Sequence, residues 1–332
     1  VGGIETLADV LASHWSEQGH VVEIITDVPA APQRDPPREF AVHHRPHHYK
    51  ILAIMRRSDL VLQQNISLKA IWPAAFTQAK FVASHHGWYR PPRGGDSQRE
   101  RFKRWLARKL PANISCSHAV RDALGCGGVV IPNPYDDVKF VNHGAARERE
   151  IVVVGRLVSD KGVDVLINAL RRMREHGVRP RATIVGDGPE RRPLESLVAQ
   201  CGLEQQVAFL GNLGHDELPR LLNAHQIMVV PSRWNEPFGI VALEGAACGC
   251  VVVGSSGGGL PEAIGPCGMT FPNGDDEALA SILTILLAEP ERLDGYRQAA
   301  PAHLAKHRAD VVAGQYLDYF QSLVESDGGA AR

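Results

Sequence analysis

The chain has 332 residues, with 36 Lys and Arg against 37 Asp and Glu, for a formal net charge of −1. A near-neutral balance gives no global pull toward nucleic acid or an anionic membrane, and the length suits two domains of ordinary size. Hydrophobic residues make up 44%, normal for a globular protein, and no apolar run reaches the roughly 20 residues of a membrane span.

The predicted elements alternate helix and strand from the start. Ile4, Leu7, Ala8, Leu11 and Trp15 recur at helical spacing. Gly19 ends that helix, and Val21 to Thr26 reads as a strand. The stretch from Asp27 to Tyr49, rich in Pro and His, reads as a loop. Short apolar runs follow at Leu60–Leu62, Phe81–Ala83, Ile114–Cys116 and Val129–Ile131. Between them, Arg99 to Lys109 is strongly basic, and Phe102, Trp105, Leu106 and Leu110 share a helical face. We read it as a domain helix packed through that face, with a solvated basic side; the rival reading is a peripheral contact with anionic lipid.

Pro132-Asn-Pro134 cannot continue a helix, and the segment from Pro132 to Glu150 reads as the connection between domains. A second series of strands begins at Ile151–Val154 and continues at Ala182–Val185, Val207–Leu210, Ile227–Val230 and Val251–Val253. Two successive Rossmann-like halves with a cleft between them follow from this alternation. The six cysteines are scattered. Cys248-Gly-Cys250 has the wrong spacing for structural zinc, so reduced thiols and a cytoplasmic setting are expected. The first twenty residues carry Glu5, Asp9, His14 and Glu17, which does not fit a signal peptide.

The most informative segment is Glu236-Pro-Phe-Gly-Ile-Val-Ala-Leu-Glu244. It follows the buried run Ile227 to Val230 and Pro231-Ser232. The pattern puts Glu236 at a strand-to-helix junction, with a helix starting after Pro237 and Glu244 about two turns into it. Free N–H groups at such a helix start favour an anion, whereas a carboxylate accepts hydrogen bonds from hydroxyls. A ligand that is part phosphate and part polyol is implied. Glu244 lies in the apolar run Ile240 to Ala247, where an unpaired carboxylate is costly. Arg156 follows a strand-then-glycine pattern and Lys161 precedes the next helix, so both cations can converge on a diphosphate. Asp136-Asp137 and Asp275-Asp276 lie in loop-like segments and read as solvated caps, so no metal site is expected.

Glu236 through Glu244 resembles the E-x7-E motif of retaining glycosyltransferases of the GT-B fold, in particular family 4. The resemblance extends along the chain. It takes in Gly2-Gly-Ile-Glu5 as the N-terminal glycine loop, His86-Gly87 as the active-site histidine, and Gly155-Arg-Leu157 with Asp160-Lys-Gly162 as the phosphate clamp. Gly186-Asp-Gly-Pro-Glu190 and Gly257-Gly-Gly-Leu-Pro-Glu262 also fit in order.

The resemblance implies an α/β GT-B fold, two Rossmann-like domains facing each other across a cleft. Residues 1–135 would bind the acceptor, 136–305 the nucleotide sugar, and a last helix over 306–325 would cross back to the first domain. Family members carry an apolar strand before the glycine loop, so that strand is expected to precede Val1. The implied catalytic set is His86, Arg156, Lys161 and Glu236. The implied donor set is Gly2, Gly3, Gly186, Asn212, Leu213, Phe238, Gly239, Ile240 and Glu244. Within it, Glu244 would meet the ribose, and Asn212 and Leu213 would flank the base. The main-chain N–H groups of Phe238, Gly239 and Ile240 would face sugar and phosphate. The expected activity is transfer of a sugar from a UDP- or GDP-sugar to a hydroxyl-bearing acceptor with retention and without a metal or other cofactor. The alternative is a nucleotide-sugar-binding subunit without turnover.

Overall fold

The computed structural model describes residues 3–29, 39–90, 95, 97–144, 146–214 and 216–328. Gly2 lies outside them. The chain forms two compact units, 1–134 with 309–332, and 135–308.

In the first unit, α1 (Gly3–Glu17) leads to β1 (Glu23–Thr26), which pairs in parallel with β2 (Ala41–His44). The strand β2 corrects the loop expected over Asp27 to Tyr49. His43 Nε2 lies 2.7 Å from Glu23 Oε2, and Arg57 grips the same carboxylate at 2.6 Å. His43, in a stretch that reads as loop, is therefore held across the strand pair by the Glu23 carboxylate. Then come α2 (His48–Arg57), β3 (Leu60–Gln64), α3 (Leu68–Ala74), β4 (Lys80–His85), α4 (Gln98–Lys109), β5 (Asn113–Ser115), α5 (His118–Leu124) and β6 (Val129–Val130). Strands β3 to β6 make one parallel sheet in sequence order.

Helix α4 starts on a capping box, Ser97 with Glu100, but its buried residues are Arg104 and Ala107. Phe102 and Trp105, expected to face inward, are 47% and 52% exposed, while Leu106 and Leu110 are half-buried. The reason is local: Arg104 Nη1 donates to the Tyr89 carbonyl at 2.7 Å and takes the inward position.

In the second unit the order is β7 (Arg149–Val154), α6 (Val163–Glu175), β8 (Ala182–Val185), α7 (Arg191–Gln200), β9 (Val207–Gly211), α8 (Glu217–Asn223), β10 (His225–Val230), α9 (Ile240–Ala247), β11 (Val251–Ser255), α10 (Leu260–Ile264), β12 (Gly268–Phe271), α11 (Asp276–Ala288) and α12 (Pro290–Leu304). The six strands are all parallel, in the order β9-β8-β7-β10-β11-β12. Strands covered on both faces read as continuous apolar runs, and Ile151, Ile184, Ile227, Val229, Val251 and Val253 all enter one core. The last helix among the described residues is α13 (Ala309–Gly328), which belongs to the first unit. There Trp15 Nε1 donates to the Ala313 carbonyl at 3.1 Å, and Trp15 packs edge-on against Phe320.

All six cysteines are free, and all but Cys201 are buried. Among the described residues, no helix is long and apolar enough to cross a membrane.

Candidate functional site

The strand order of the second unit has one reversal, between β7 and β10. Connections run outward from that point on both sides, so the loops after these two strands diverge and leave a crevice at their C-terminal ends. Gly155, Arg156 and Lys161 follow β7, and Ser232 and Glu236 follow β10.

The two loops are locked together. Gly162 adopts φ +63°, and a Cβ there would stand 2.0 Å from the Pro231 carbonyl oxygen, so only glycine fits this approach. The Asp160 carbonyl accepts the Arg233 N–H at 2.9 Å. Held this way, Lys161 Nζ lies 2.6 Å from Glu236 Oε1, and Ser232 Oγ donates to the same oxygen, also at 2.6 Å. Glu236 is mostly buried and Lys161 about one-third exposed. Ser232, 1% exposed, is a member of the site that the motif reading passed over. Its signal was there: a hydroxyl at a buried strand end, one helical turn's spacing before the carboxylate. Glu236 is also fixed through its main chain, because its carbonyl accepts the Gly259 N–H at 2.7 Å beside a parallel bridge to Gly258.

Beyond Glu236 the helix starts later than the sequence suggests. Gly239 takes φ +104° and becomes the N-cap, so α9 begins at Ile240 and Glu244 sits just over one turn in. The N–H groups of Phe238, Gly239, Ile240 and Val241 find no acceptor among the described residues. They are available to a ligand. The Phe238 ring is buried, 5.7 Å from the His307 ring, so this residue can offer only its main chain. Glu244 is half-buried, and its carboxylate makes no hydrogen bond to any described residue. Burial raises its pKa to about 7, opposed by Lys139 and reinforced by Asp136.

The other expected residues are placed as follows. Arg156 is exposed and makes no ion pair with any described residue. Gly186 follows β8 with φ +130°, and its N–H donates to the Gly211 carbonyl; a Cβ on it would meet the Gly155 carbonyl at 1.9 Å. Asn212 is exposed and Leu213 half-buried after β9. Gly3 opens α1. Only Lys161 and Glu236 are in direct contact; neither Arg156 nor Glu244 reaches that pair through a hydrogen bond or ion pair.

His86 belongs to the first unit, one residue past β4. Its Nδ1 is 3.1 Å from Asn133 Oδ1 and its Nε2 is 2.9 Å from Ser84 Oγ, which is 3.0 Å from the Tyr316 hydroxyl. An amide oxygen only accepts, so Nδ1 carries the proton and Nε2 accepts from Ser84. Burial lowers the His86 pKa to about 4, opposed by the Asn133 bond and assisted by His85. The ring is thus neutral near pH 7 and fully engaged. Its neighbour His85 is fully buried between Tyr89 and Asn113.

Residues 136–303 match the family model for glycosyl transferases group 1, and residues 1–139 match the model for glycosyltransferase family 4. Glycogen synthase of Mycobacterium tuberculosis is 34% identical over 213 residues, 60% of this chain and 51% of that protein. The 2-deoxystreptamine N-acetyl-D-glucosaminyltransferase of Streptomyces fradiae is 29% identical over 68% of this chain and 55% of its own length. The chain thus spans about half the length of these curated relatives. Among solved structures, a glycosyltransferase from Rickettsia africae superposes with a TM-score of 0.83 at 19% identity, covering 97% of this chain and 95% of that one. Anabaena HepE in complex with UDP and glucose does so with a TM-score of 0.79 at 23% identity, covering 97% and 96%. The fold is therefore GT-B, with two Rossmann-like units. The chain belongs to the glycosyl transferases group 1 family.

Proposed function

We propose that this glycosyltransferase moves a sugar from a nucleoside-diphosphate sugar to a hydroxyl-bearing acceptor with retention of configuration and without a metal. The donor is assigned to residues 135–308 and the acceptor to the first unit. The observation that carries the reading is the Lys161–Glu236–Ser232 cluster at the reversal point of the sheet, beside the free N–H groups that open α9.

Each part has a matching role. The Lys161 ammonium spends one of its three N–H donors on Glu236, leaving two for a phosphate oxygen. Arg156, exposed and unpaired among the described residues, supplies a second cation. Both stabilise the charge that grows on the departing diphosphate. Glu236 keeps one carboxylate oxygen for hydroxyls of the transferred sugar. Glu244 accepts from the ribose diol, and Gly186, Asn212 and Leu213 border the base. His86 acts through its main-chain carbonyl, because its ring is neutral and doubly bonded. The acceptor oxygen attacks the anomeric carbon from the face that the diphosphate leaves. The carbon–phosphate-oxygen bond breaks, and the acceptor's proton passes to the departing phosphate. A UDP donor is the first choice, supported by the complexes of the HepE neighbour with UDP and UDP-glucose.

The test is release of radiolabelled sugar from UDP-glucose and GDP-mannose, with the first-formed anomer read by NMR. We expect turnover unchanged by EDTA, the donor's anomeric configuration in the product, and loss of turnover in Arg156→Ala and Lys161→Ala. Each charge-assisted contact is worth ~1.5–3 kcal/mol, or roughly 10- to 150-fold in rate. Near-normal turnover in both variants would refute the assignment.

A further inference from the structure

Helix α4 presents an unusual face to solvent. Arg101, Phe102, Trp105 and Lys109 lie along the solvent side of the helix, away from the buried Arg104 and Ala107, while Arg108 is turned back to donate through Nε to the Leu124 carbonyl. Phe102 and Trp105 stack on each other, with centroids 5.5 Å apart and planes 23° from parallel, yet remain about half exposed. Two large rings ordered against each other outside the core mark an interaction surface. The only acid in the helix, Glu100, is taken up by the cap: its Oε2 accepts from both the Ser97 N–H and Oγ. Arg101 and Lys109 make no ion pair with any described residue. The exposed stripe is therefore cationic and aromatic with no opposing carboxylate of its own.

We propose that α4 docks the protein onto an anionic lipid surface, lying in the interface with Phe102 and Trp105 inserted at headgroup depth and Arg101 and Lys109 on the lipid phosphates. The charge decides among partners. A second copy would set this cationic stripe against itself. Nucleic acid would call for a wider basic surface, and the chain carries a net charge of −1. Low overall hydrophobicity with aromatics on one face and cations around them is what an interfacial helix needs, since the rings supply burial and the cations supply attraction.

The experiment is sedimentation of the full chain with vesicles of three parts phosphatidylcholine to one part phosphatidylglycerol, against vesicles of phosphatidylcholine alone. We expect binding to the anionic vesicles only, weakened by added salt. Each cation near such a surface is worth roughly fivefold in affinity, so Arg101→Gln with Lys109→Gln should lower binding about 25-fold. Phe102→Ser with Trp105→Ser should abolish it while leaving the thermal melting temperature and nucleotide binding in place. Equal binding to both vesicle types would overturn the proposal, as would variants that bind like the wild type. So would tighter binding to a short DNA duplex than to the anionic vesicles.

Discussion

Glu244 gives the sharpest test of the proposed donor site, because its burial ties its protonation to stability and the proposed ribose contact would tie it to affinity. Its carboxyl moves from an ordinary 4.5 to about 7 on folding, chiefly through burial. Between these values the folded protein binds more protons than the unfolded chain, so stability falls as pH rises through the window. The full shift corresponds to at most ~3 kcal/mol. Glu244→Gln removes the titration and keeps the shape. The variant should therefore melt close to the wild type at about pH 5 and above it at about pH 8.5, by up to roughly 10 °C. Nucleotide affinity should move the other way. A carboxylate accepts from both ribose hydroxyls, whereas the amide offers one acceptor and misplaces an N–H2. Calorimetry with UDP should show wild-type affinity rising with pH through 7 and weaker, pH-independent binding in the variant. A melting difference that is the same at both pH values would refute the burial argument. Unchanged UDP affinity would refute the ribose role.

His86 has the opposite sign. With its pKa lowered to about 4, the first unit should lose stability as pH falls below the unfolded value, and His86→Gln should flatten that slope, read by amide exchange in α1 and β4. Ser232→Ala should leave UDP affinity near normal and lower kcat by roughly tenfold, the worth of one hydrogen bond to a charged group, with Ser232→Thr restoring it; normal kcat in the alanine variant would remove Ser232 from the site. Gly162→Ala places a Cβ 2.0 Å from the Pro231 carbonyl at φ +63°, so it should destabilise the second unit by more than ~2 kcal/mol in denaturant titration and reduce turnover.

The second unit was largely legible because burial on both sheet faces leaves uninterrupted runs such as Ile151–Val154 and Val251–Val253. Strand β12 was not, because it opens on Gly268 and is only partly buried, which gives neither an apolar run nor an alternation. Strand β2 was hidden for a tertiary reason: His43 gains its place from Glu23 and Arg57. The face of α4 was misjudged by a local rule that puts Phe and Trp inward. What reverses it is the Tyr89 carbonyl, presented by a residue at φ +47°, which captures Arg104. At the candidate site, spacing singled out Lys161 and Glu236 as separate candidates, but their contact depends on how closely two loops approach. That closeness resides in Gly162, whose requirement for a missing Cβ appears only when Pro231 is across from it.

The Lys161–Glu236 pair also explains how a carboxylate is tolerated at this position. A mostly buried carboxylate without a partner costs several kcal/mol. Here Lys161 and Ser232 together satisfy one oxygen of Glu236, and the ammonium stays in reach of solvent. A diphosphate sugar offers each member a substitute: phosphate oxygens for the ammonium, sugar hydroxyls for the carboxylate. Neither charge need be left bare as the ligand enters, so the cost of desolvating the site is met before the ligand arrives. A ligand with phosphate alone would satisfy Lys161 and leave Glu236 facing added negative charge; a free sugar would satisfy Glu236 and leave Arg156 and the N–H groups of α9 without an anion. Under the proposed function, the pairing would favour a molecule that carries both chemistries a few bonds apart.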